Sequence, residues 1–467
     1  MEQFDLIIIG AGPGGYEAAA EAAKQYKMNV ALVENRELGG TCLNRGCIPT
    51  KTILHSASYY HEMKAHGGDM GLTRTEDIGY SMEQIQARKN QVLDQLRSGV
   101  AMLMKANKIT VYNGTGTIID RNTVKVNGND GTVEKIAAKN IMIATGSIPA
   151  VPPIKGSDLK GVVTSDAMLN LDKPINSLIV IGGGVIGMEF ASVFGALGCT
   201  VTVIEALDKI LGSIDKEICQ NLKMILKKVH CVDIHTGATV TEISGTPGAG
   251  TDGMTVSYTE KEKECQVSAD LVLMSVGRRA YMEGLFDDDT VDEVSNMTVE
   301  RGKIIVDEKY TTSVPGIYAI GDVIGGIQLA HVATAEGRSA VAYMNGEKPS
   351  IDMTVVPSCV YTSPEIASVG ISPDDAKKLE MDVITSKYIM GANGKSILSM
   401  QERGFIKVVA DAKSHKVIGA QMMCARATDM ISQFSQAIVS GLTIEEMSKT
   451  IYPHPTFSEG IGEALKG

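Results

Sequence analysis

Short apolar runs alternate with glycine turns and helical stretches in two separate parts of the chain. Residues 6–9 are Leu-Ile-Ile-Ile, which has the length and composition of a buried strand in a parallel sheet, and a glycine turn follows at once. An alanine-rich stretch over 18–24 and a second apolar run over 29–33 complete this unit. The same order recurs between residues 178 and 205. The pattern therefore predicts an α/β fold with two similar strand–turn–helix–strand units.

The first turn has the glycine spacing of a dinucleotide-binding loop. Gly10, Gly12 and Gly15 let the backbone turn sharply and approach a pyrophosphate, whose charge is stabilised by the N-terminus of the next helix. Glu34 ends the second strand, where a carboxylate accepts hydrogen bonds from a ribose. Strand, glycines, helix, strand and acid in this order predict a dinucleotide site. The alternative is an α/β layer that uses glycine only for packing.

The second unit repeats these features with Gly182, Gly184, Gly187 and Glu205. A carboxylate at this position accepts both ribose hydroxyls but repels a 2′-phosphate. No arginine follows Glu205 within the next several residues to bind such a phosphate. We therefore predict that the second site prefers NAD to NADP.

A pair of cysteines, Cys42 and Cys47, follows the first turn and its helix. In a straight α-helix five residues advance roughly 7.5 Å, whereas the Cα atoms of a disulfide lie about 4.4–6.8 Å apart. A bridge therefore requires a distorted helical turn, which Gly40 and Gly46 permit, and strain makes such a bond easier to reduce. A helix N-terminus also lowers the pKa of a nearby thiol. We predict a redox-active dithiol. The alternatives are two buried cysteines or a small metal site, although no second close cysteine pair completes a zinc site.

A histidine between two prolines lies near the carboxyl end of the chain. Pro453 and Pro455 restrict the backbone of His454, and Glu459 can orient one ring nitrogen and raise the basicity of the other. A lone histidine is more often structural than catalytic. The arrangement nevertheless favours a general base.

Composition excludes several classes of protein. The chain has 467 residues, more than one core accommodates, so about two to four domains are expected. The net charge of −11 argues against a nucleic-acid or anionic-membrane partner. The apolar run over 178–198 contains several glycines and Glu189, which predicts a buried strand–turn–helix and no membrane span. Because residues 1–9 start with acidic and polar side chains, we expect no signal peptide and a cytoplasmic location.

The stretch Gly39-Gly-Thr-Cys42-Leu-Asn-Arg-Gly-Cys47-Ile-Pro-Thr-Lys51 resembles the redox segment of the flavoprotein disulfide reductases, the class I pyridine nucleotide-disulfide oxidoreductases. The stretch from His454 to Glu459 resembles the family's histidine–glutamate pair, and the likeness extends over essentially the whole chain. Within the family, the chain looks like the dihydrolipoamide dehydrogenase branch. The resemblance implies FAD in the first site, NAD in the second, and no metal. It also implies a homodimer that combines Cys42 of one chain with His454 of the other.

The resemblance assigns roles to individual residues. The residues that it assigns to FAD are Gly10, Gly12, Gly14, Gly15, Glu34, Gly40, Thr41, Lys51, Gly114, Thr145, Gly146, Ser147, Gly321, Asp322, Gln328, Leu329, Ala330 and His331. Those that it assigns to NAD are Gly182, Gly184, Val185, Ile186, Gly187, Glu189, Glu205, Val240 and Gly277. The catalytic residues are Cys42, Cys47, His454, Glu459, Lys51 and Glu189. Lys51 and Glu189 are expected to form an ion pair beside the flavin; the alternative is an interdomain salt bridge without a redox role.

The resemblance also implies how the chain is divided. Segments 1–148 and 276–346 are expected to form the FAD-binding domain, 149–275 the NAD-binding domain, and 347–467 an α+β dimerisation domain. Residues 246–253, rich in glycine, threonine and proline, are predicted to form a hairpin turn in the NAD-binding domain.

The implied activity is oxidation of protein-bound dihydrolipoamide to lipoamide, with electrons passing through Cys42–Cys47 and FAD to NAD⁺. The implied partner is the lipoyl domain of a 2-oxo acid dehydrogenase acyltransferase or a glycine-cleavage H-type protein, so the lipoyl group is expected on another protein. The alternatives are another flavoprotein disulfide reductase, glutathione- or mycothione-like, and a non-catalytic redox-sensing flavoprotein.

Three positions depart from the family's usual pattern. Ala280-Tyr281-Met282 stands where a small residue and asparagine are common, Ser363 where histidine is frequent, and Pro453 where alanine is common. These departures bear on the substrate channel and on NAD affinity and leave the reaction class unchanged.

Overall fold

The computed structural model describes residues 1–246 and 253–466, so most of the predicted turn over 246–253 lies outside the described residues. In the first part of the chain the helices are α1 (Pro13–Tyr26), α2 (Gly40–Arg45), α3 (Cys47–His66) and α4 (Met82–Ala106). The strands of this part are β1 (Glu2–Ile9), β2 (Val30–Glu34), β3 (Thr110–Asp120), β4 (Thr123–Gly128), β5 (Val133–Ile143) and β6 (Ser147–Pro149).

The middle part of the chain contains most of the remaining parallel strands. Its helices are α5 (Ser165–Met168), α6 (Val185–Ala196), α7 (Lys216–His230), α8 (Asp292–Ser295) and α9 (Ala330–Met344). Its strands are β7 (Val162–Thr164), β8 (Ser177–Ile181), β9 (Thr200–Glu205), β10 (Val232–Thr236), β11 (Ala238–Gly245), β12 (Met254–Glu260), β13 (Lys263–Ala269), β14 (Leu271–Met274), β15 (Arg278–Ala280), β16 (Val299–Glu300), β17 (Lys303–Ile304) and β18 (Ile317–Ala319).

The last part of the chain mixes helices with longer antiparallel strands. Its helices are α10 (Pro373–Lys378), α11 (Gly394–Leu398), α12 (Ala427–Ser440), α13 (Ile444–Met447) and α14 (Glu459–Ala464). Its strands are β19 (Ser358–Val360), β20 (Ile366–Gly370), β21 (Val383–Ile389), β22 (Phe405–Asp411) and β23 (Val417–Met423). Short 3₁₀ turns occur at Thr75–Asp77, Gly321–Ile324 and Met390–Ala392.

The first sheet is parallel at its centre. Strand β1 lies between β2 and β5, with Leu6 opposite Val30 on one side and Asn140 on the other, and β3 and β18 extend the sheet. The far ends of β3 and β5 pair antiparallel with β4. Because both faces of β1 are covered, its apolar residues are continuous, as expected for a buried parallel strand.

The second sheet is parallel in the order β10-β9-β8-β14-β7, and the antiparallel strands β11, β12 and β13 form a separate three-stranded sheet. The third sheet is antiparallel in the order β19-β20-β23-β22-β21 and packs against α12 and α14. The predicted fold class is confirmed: two similar α/β units precede an α+β unit. In both α/β units the glycine turn directly follows a central strand, β1 or β8.

One hydrophobic cluster, which we call the shared core, combines helices α3 and α4 of the first unit with the second and third sheets. It contains Ile53 of α3, Phe190 of α6, and Val360, Phe405 and Met423 of the third sheet. Its continuity from one unit to the next fixes the relative positions of the units, because apolar area that is buried between two units stays buried only while they remain in contact.

A buried ion cluster lies beside the shared core. The ammonium of Lys407 on β22 contacts Asp215 at 2.9 Å and Glu217 at 3.0 Å. Asp215 is also the N-cap of α7, where it accepts the backbone N–H groups of Glu217 and Ile218. The cluster therefore ties the start of a helix in the second unit to the third sheet. In the ranges 1–246 and 253–466, no helix is long and apolar enough to cross a membrane.

Candidate active site

A cavity of about 1290 Å³ runs along the carboxyl ends of the parallel strands in both α/β units. Ligands of parallel α/β sheets bind at these ends, because helix N-termini and flexible loops converge there. The cavity wall includes both glycine turns and both cysteines of the predicted dithiol. One continuous space therefore joins the two predicted nucleotide sites to the sulfur atoms.

The two glycine turns have the same construction. Gly12 and Gly184 are the N-caps of α1 and α6, and neither helix start is capped by a side chain. A Cβ atom at either glycine would meet no protein atom within 4 Å, so each turn is open to the cavity. Backbone N–H groups at these two helix starts are left for an anion, which is the donor set that a dinucleotide pyrophosphate requires.

Gly15 and Gly187 have a different position from the one expected of cofactor-binding residues. Neither lines the cavity. A Cβ atom at Gly15 would overlap the carbonyl oxygen of Gly10, and one at Gly187 would overlap that of Gly182. These two glycines let each helix pack closely on its own turn.

Glu34 and Glu205 also occupy equivalent positions. Glu34 accepts the backbone N–H of Ala11 at 2.8 Å and that of Arg36 at 2.9 Å. Glu205 accepts the N–H of Gly183 at 2.5 Å and that of Leu207 at 2.8 Å. Each carboxylate thus holds its turn in place and keeps lone pairs for further donors. The assignment of both to ribose recognition stays a prediction.

The cavity brings together most of the predicted site residues. Those that line it are Gly10, Gly12, Gly14, Glu34, Gly40, Thr41, Cys42, Cys47, Lys51, Gly114, Thr145, Gly146, Ser147, Gly182, Gly184, Val185, Ile186, Glu189, Glu205, Val240, Gly277, Gly321, Asp322, Gln328, Leu329, Ala330 and His331. The predicted residues that do not line it are Gly15, Gly187, His454 and Glu459.

The cysteine pair lies at an interruption between two helices. Helix α2 ends at Arg45, Gly46 adopts a non-helical conformation, and Cys47 is the first residue of α3. The predicted distortion between the two cysteines is therefore present. Both residues are free thiols in the structure and are partly exposed to the cavity.

The pKa values of the two thiols are shifted in opposite directions. A hydrogen bond donated by Cys42 lowers the pKa of Cys47 to about 7; Lys51 adds to this effect, while burial and Glu189 oppose it. The same hydrogen bond, together with burial, raises the pKa of Cys42. Cys47 is therefore the more acidic thiol of the reduced pair, and Cys42 is the one that donates the hydrogen bond and keeps its proton more strongly.

The predicted ion pair between Lys51 and Glu189 is present. The ammonium donates to the two carboxylate oxygens at 2.8 and 2.7 Å, and Glu189 is only 3% exposed. Glu189 also accepts the backbone N–H of Tyr361 at 3.0 Å, and the Lys51 ammonium lies 4.6 Å from the centre of the Tyr361 ring. The pair joins α3 of the first unit to α6 of the second and to Tyr361, which directly follows β19 in the third unit.

Several residues of the wall were not predicted. Arg278 donates to the hydroxyl of Ser147 at 2.7 Å and to its carbonyl at 2.6 Å, and the hydroxyl in turn donates to Asp322. Burial lowers the pKa of Arg278, and Asp322 opposes this effect. The sequence feature that could have identified Arg278 is its position directly after Gly277, near the carboxyl end of a buried strand. Glu336, behind the turn that carries Asp322, was missed as well.

Tyr281, one of the departures from the family pattern, contacts a predicted flavin-lining loop. Its carbonyl accepts a hydrogen bond from the hydroxyl of Thr145 at 2.6 Å, and its N–H donates to the carbonyl of Gly146 at 3.0 Å. Both bonds use the backbone of Tyr281, so they do not depend on the type of side chain there. Among the described residues, no group of three or more histidine, cysteine or acidic side chains is placed to hold a metal ion.

His454 and Glu459 form a pair on the surface of the third unit. The His454 Nδ1 and the Glu459 Oε1 are 2.8 Å apart, and the imidazole is 78% exposed. The backbone N–H of Thr456 and the contact with His454 lower the pKa of Glu459. The predicted orientation by Glu459 is present, and the other ring nitrogen, Nε2, faces away from that bond. Within one chain the pair lies apart from the cavity that holds the dithiol.

Comparison with known proteins gives matches over nearly the full chain. Residues 4–337 match the family model of the pyridine nucleotide-disulphide oxidoreductases, and residues 356–465 match the dimerisation domain of the same family. A dihydrolipoyl dehydrogenase of Bacillus subtilis is 41% identical over 471 residues, which cover 99% of this chain and 97% of the relative. A dihydrolipoyl dehydrogenase of Trypanosoma brucei brucei is 36% identical, with 99% and 95% covered.

Two solved structures are similar over the whole chain. LpdA from Mycobacterium tuberculosis has a TM-score of 0.89 at 26% identity, with 100% of this chain and 99% of that chain covered. The flavoprotein disulfide reductase RclA from Escherichia coli, solved as a Cu(II) complex, has a TM-score of 0.86 at 28% identity and the same coverage. From the two glycine turns, the dithiol between them and these matches, it follows that the chain belongs to the pyridine nucleotide-disulphide oxidoreductases.

Proposed function

We propose that this FAD- and NAD-dependent oxidoreductase is a dihydrolipoyl dehydrogenase, which oxidises the dihydrolipoyl group of a partner protein. The observation that carries the proposal is the position of Cys42 and Cys47 in the wall of one cavity that also contains both nucleotide turns. A dithiol at that place can exchange electrons with a bound cofactor on one side and with an external dithiol on the other. The name shared by the relatives supports the choice of substrate.

The residues present fit both cofactors. Open helix starts at Gly12 and Gly184 provide N–H donors for two pyrophosphates, and Glu34 and Glu205 provide acceptors for two riboses. Asp322 would hold the ribityl chain of the flavin. When bound, FAD carries the two electrons of the dithiol to the nicotinamide of NAD⁺.

The chain's own residues account for the exchange of disulfides. In the oxidised enzyme, a thiolate of the substrate attacks the Sγ of Cys42; the Cys42–Cys47 bond breaks and Cys47 leaves as a thiolate. The second substrate thiolate then attacks the substrate sulfur bound to Cys42, which forms the substrate disulfide and releases Cys42. The substrate loses two electrons and the enzyme pair gains them. The low pKa of Cys47 makes it the better leaving group, and the high pKa of Cys42 makes it the thiol that retains a proton.

We also propose that His454 of the partner subunit supplies the base. The ring is exposed, its Nδ1 is oriented by Glu459, and its Nε2 can take the proton of the substrate thiol and return one to Cys42. Segments 1–148 and 276–346 would then hold FAD, segment 149–275 NAD, and segment 347–467 would form the dimer. Lys51 would stabilise the Cys47 thiolate beside the flavin, and Glu189 would hold the Lys51 ammonium in place.

The proposed partner is a lipoyl domain of a 2-oxo acid dehydrogenase acyltransferase or a glycine-cleavage H-type protein, and the proposed location is the cytoplasm. A net charge of −11 disfavours nucleic acid as a partner.

The test is reduction of NAD⁺ by dihydrolipoamide with the purified protein, compared with NADP⁺ as acceptor and with glutathione as donor. Rapid NAD⁺ reduction that is lost in Cys42→Ser, with the flavin still bound, supports the proposal. The Cys231→Ser variant, which removes an exposed cysteine away from the cavity, is the matched control and should keep full activity. Turnover with a glutathione- or mycothione-type disulfide and NADPH alone would show that the chain is another reductase of the same family.

A further inference from the structure

Glu336 is a buried carboxylate of α9 that contacts the turn beside the predicted flavin site. It is 8% exposed, and its Oε2 accepts the backbone N–H of Gly321 at 2.7 Å. Gly321 opens the 3₁₀ turn with a φ of +72°, a conformation that favours glycine. The next residue is Asp322, whose carboxylate lines the cavity. One hydrogen bond therefore holds the cavity-lining turn against the helix behind it.

The residue after Glu336 contacts the first glycine turn. A Cβ atom at Gly337 would lie 2.7 Å from the carbonyl oxygen of Gly14, and one at Gly14 would lie 2.9 Å from that of Ala333. Helix α9 thus packs directly on the turn that is open to a pyrophosphate. Glu336 lies where that turn, the 3₁₀ turn with Asp322, and α9 come together.

No cation in the described part of the chain compensates the charge of Glu336. Among the described residues no lysine or arginine pairs with it; Arg338, two positions along α9, is 3.5 Å from Glu21 of α1 instead. The groups that face it are Asp322 on the 3₁₀ turn and Tyr310 in the segment before β18. Burial raises the pKa of Glu336 to about 7; the hydrogen bond from Gly321 opposes this effect and Asp322 adds to it.

We infer that Glu336 is a positioning residue that couples FAD binding to the uptake of one proton, an inference that rests on the assignment of FAD to this site. A bound dinucleotide brings a negative pyrophosphate to the turn that α9 packs on, and it displaces water from the cavity wall. Both changes disfavour a second buried negative charge, so Glu336 takes a proton from solvent on binding and returns it on release. The neutral acid still accepts the N–H of Gly321 through its carbonyl oxygen, which keeps the turn in place.

The sign of the pH dependence follows from this coupling. At low pH Glu336 is neutral with and without FAD, so the affinity is highest there. As the pH rises through the pKa of the free protein, about 7, release of FAD also releases the proton, and release becomes easier. The Kd for FAD should therefore rise by up to about tenfold per pH unit above this point, until the bound form loses its proton as well.

The experiment dilutes the FAD-loaded full chain at pH values between about 6 and 9 and measures free flavin by its fluorescence, which gives Kd at each pH. The wild-type protein should show the rise, and Glu336→Gln, which stays neutral, should give a flat and low Kd. Glu336→Asp keeps a titratable group and should keep the slope. Glu21→Gln removes the carboxylate that pairs with Arg338 and is the matched control; it should behave as the wild type.

The outcomes separate the inference from the proposed function. A slope that is the same in Glu336→Gln and in the wild type would overturn the role of Glu336 and leave the cofactor assignment intact. A chain that binds no FAD would overturn both. If Glu336→Gln does not fold, calorimetry of FAD binding to the wild type in two buffers of different ionisation enthalpy decides: proton uptake supports the inference, and none refutes it.

Discussion

The charges next to each sulfur of the dithiol differ, although the two sulfurs share one hydrogen bond. Lys51 stabilises the Cys47 thiolate, while Glu189, held 2.7 Å from the Lys51 ammonium, works against it. The ion pair therefore acts on Cys47 through two opposing contributions. Removal of Lys51 and removal of Glu189 are therefore expected to shift the pKa of Cys47 in opposite directions.

Lys51→Met should raise the pKa of Cys47, because it removes the cation and leaves the buried Glu189 charge unpaired; a shift of about 1 unit or more is expected. Glu189→Gln should lower it, because the ammonium is then no longer neutralised. The measurement is the pH dependence of Cys47 alkylation by iodoacetamide, read by mass spectrometry in a Cys42→Ser background, where the serine hydroxyl replaces the thiol as donor.

Lys51→Arg keeps the charge and is the control for packing; its Cys47 pKa should stay close to the wild-type value. Shifts in the same direction for Lys51→Met and Glu189→Gln would contradict the electrostatic role of the pair. That result would leave it as a salt bridge between units.

The residues that the sequence identified are those that belong to short local motifs. Cys42, Cys47 and Lys51 lie within ten positions of one another, so their spacing in the sequence was enough to identify them as site residues. Tyr361 and Glu336 could not be found in this way. The N–H of Tyr361 contacts a carboxylate 172 residues away, and only the packing of the third unit on the second brings the two together.

At the scale of elements, the glycines of each turn divide into two groups with different functions. Gly12 and Gly184 are open to the cavity, whereas Gly15 and Gly187 lie against their own turns. Sequence spacing treats the three glycines of a turn as one motif. The structure separates them because the helix packs on its turn at the third glycine and leaves the second facing the cavity.

Gly187→Ala should destabilise the second unit, by about 2 kcal/mol, because the new methyl group overlaps the carbonyl oxygen of Gly182 and pushes α6 away from β8. Gly184→Ala should leave stability within about 0.5 kcal/mol but weaken NADH binding, since its methyl group enters the nucleotide space. The two variants are matched controls for each other, with thermal unfolding and calorimetric NADH titration as the measurements. A loss of stability in Gly184→Ala equal to that in Gly187→Ala would contradict the division.

At the scale of the whole molecule, His230 marks a junction between units. This last residue of α7 is 4% exposed, and its ring centroid lies 4.5 Å from that of His61 on α3. Burial lowers the pKa of His230 to about 4, and His61 and Arg403 add to the effect. A charged imidazole is therefore disfavoured where the first, second and third units meet.

The protein should lose stability as the pH falls from about 6.5 towards 4, because His230 takes a proton in the unfolded chain before it does so in the folded one. The expected contribution is about 2 kcal/mol between pH 7 and pH 5. Urea unfolding at the two pH values measures it. His230→Phe should reduce the difference by that amount, whereas His415→Gln, at an exposed histidine, should not; equal losses in all three proteins would contradict the role of His230.

Subunit mixing tests the shared active site. Cys42→Ser and His454→Gln homodimers should each have little activity, because each lacks one half of both sites. Exchange of subunits should restore about a quarter of the wild-type activity, since half of the dimers are then mixed and each has one intact site. The control is mixing after the dimers have been cross-linked. No recovery after verified exchange would place both residues in one chain.

In each α/β unit one strand–turn–helix–strand stretch was predictable, whereas the third unit was predictable only in class. Strand, turn and helix of the first two units are contiguous in sequence and repeat, so their periodicity defines them. In the order β19-β20-β23-β22-β21, the pairing of β20 with β23 joins strands distant in the chain, and no local pattern specifies it. The distance between His454 and the dithiol cavity likewise depends on how subunits associate.

The shared core and the Lys407 cluster bear on how cooperatively the molecule unfolds on heating. Because Ile53, Phe190 and Phe405 belong to one apolar cluster, no unit can unfold without exposing surface of the other two. Calorimetry should therefore record one cooperative transition, with no separate peak for the third unit. A fragment cut before residue 347 would expose the part of this core that Val360, Ile366, Phe405 and Met423 cover, and it should aggregate when it is expressed alone.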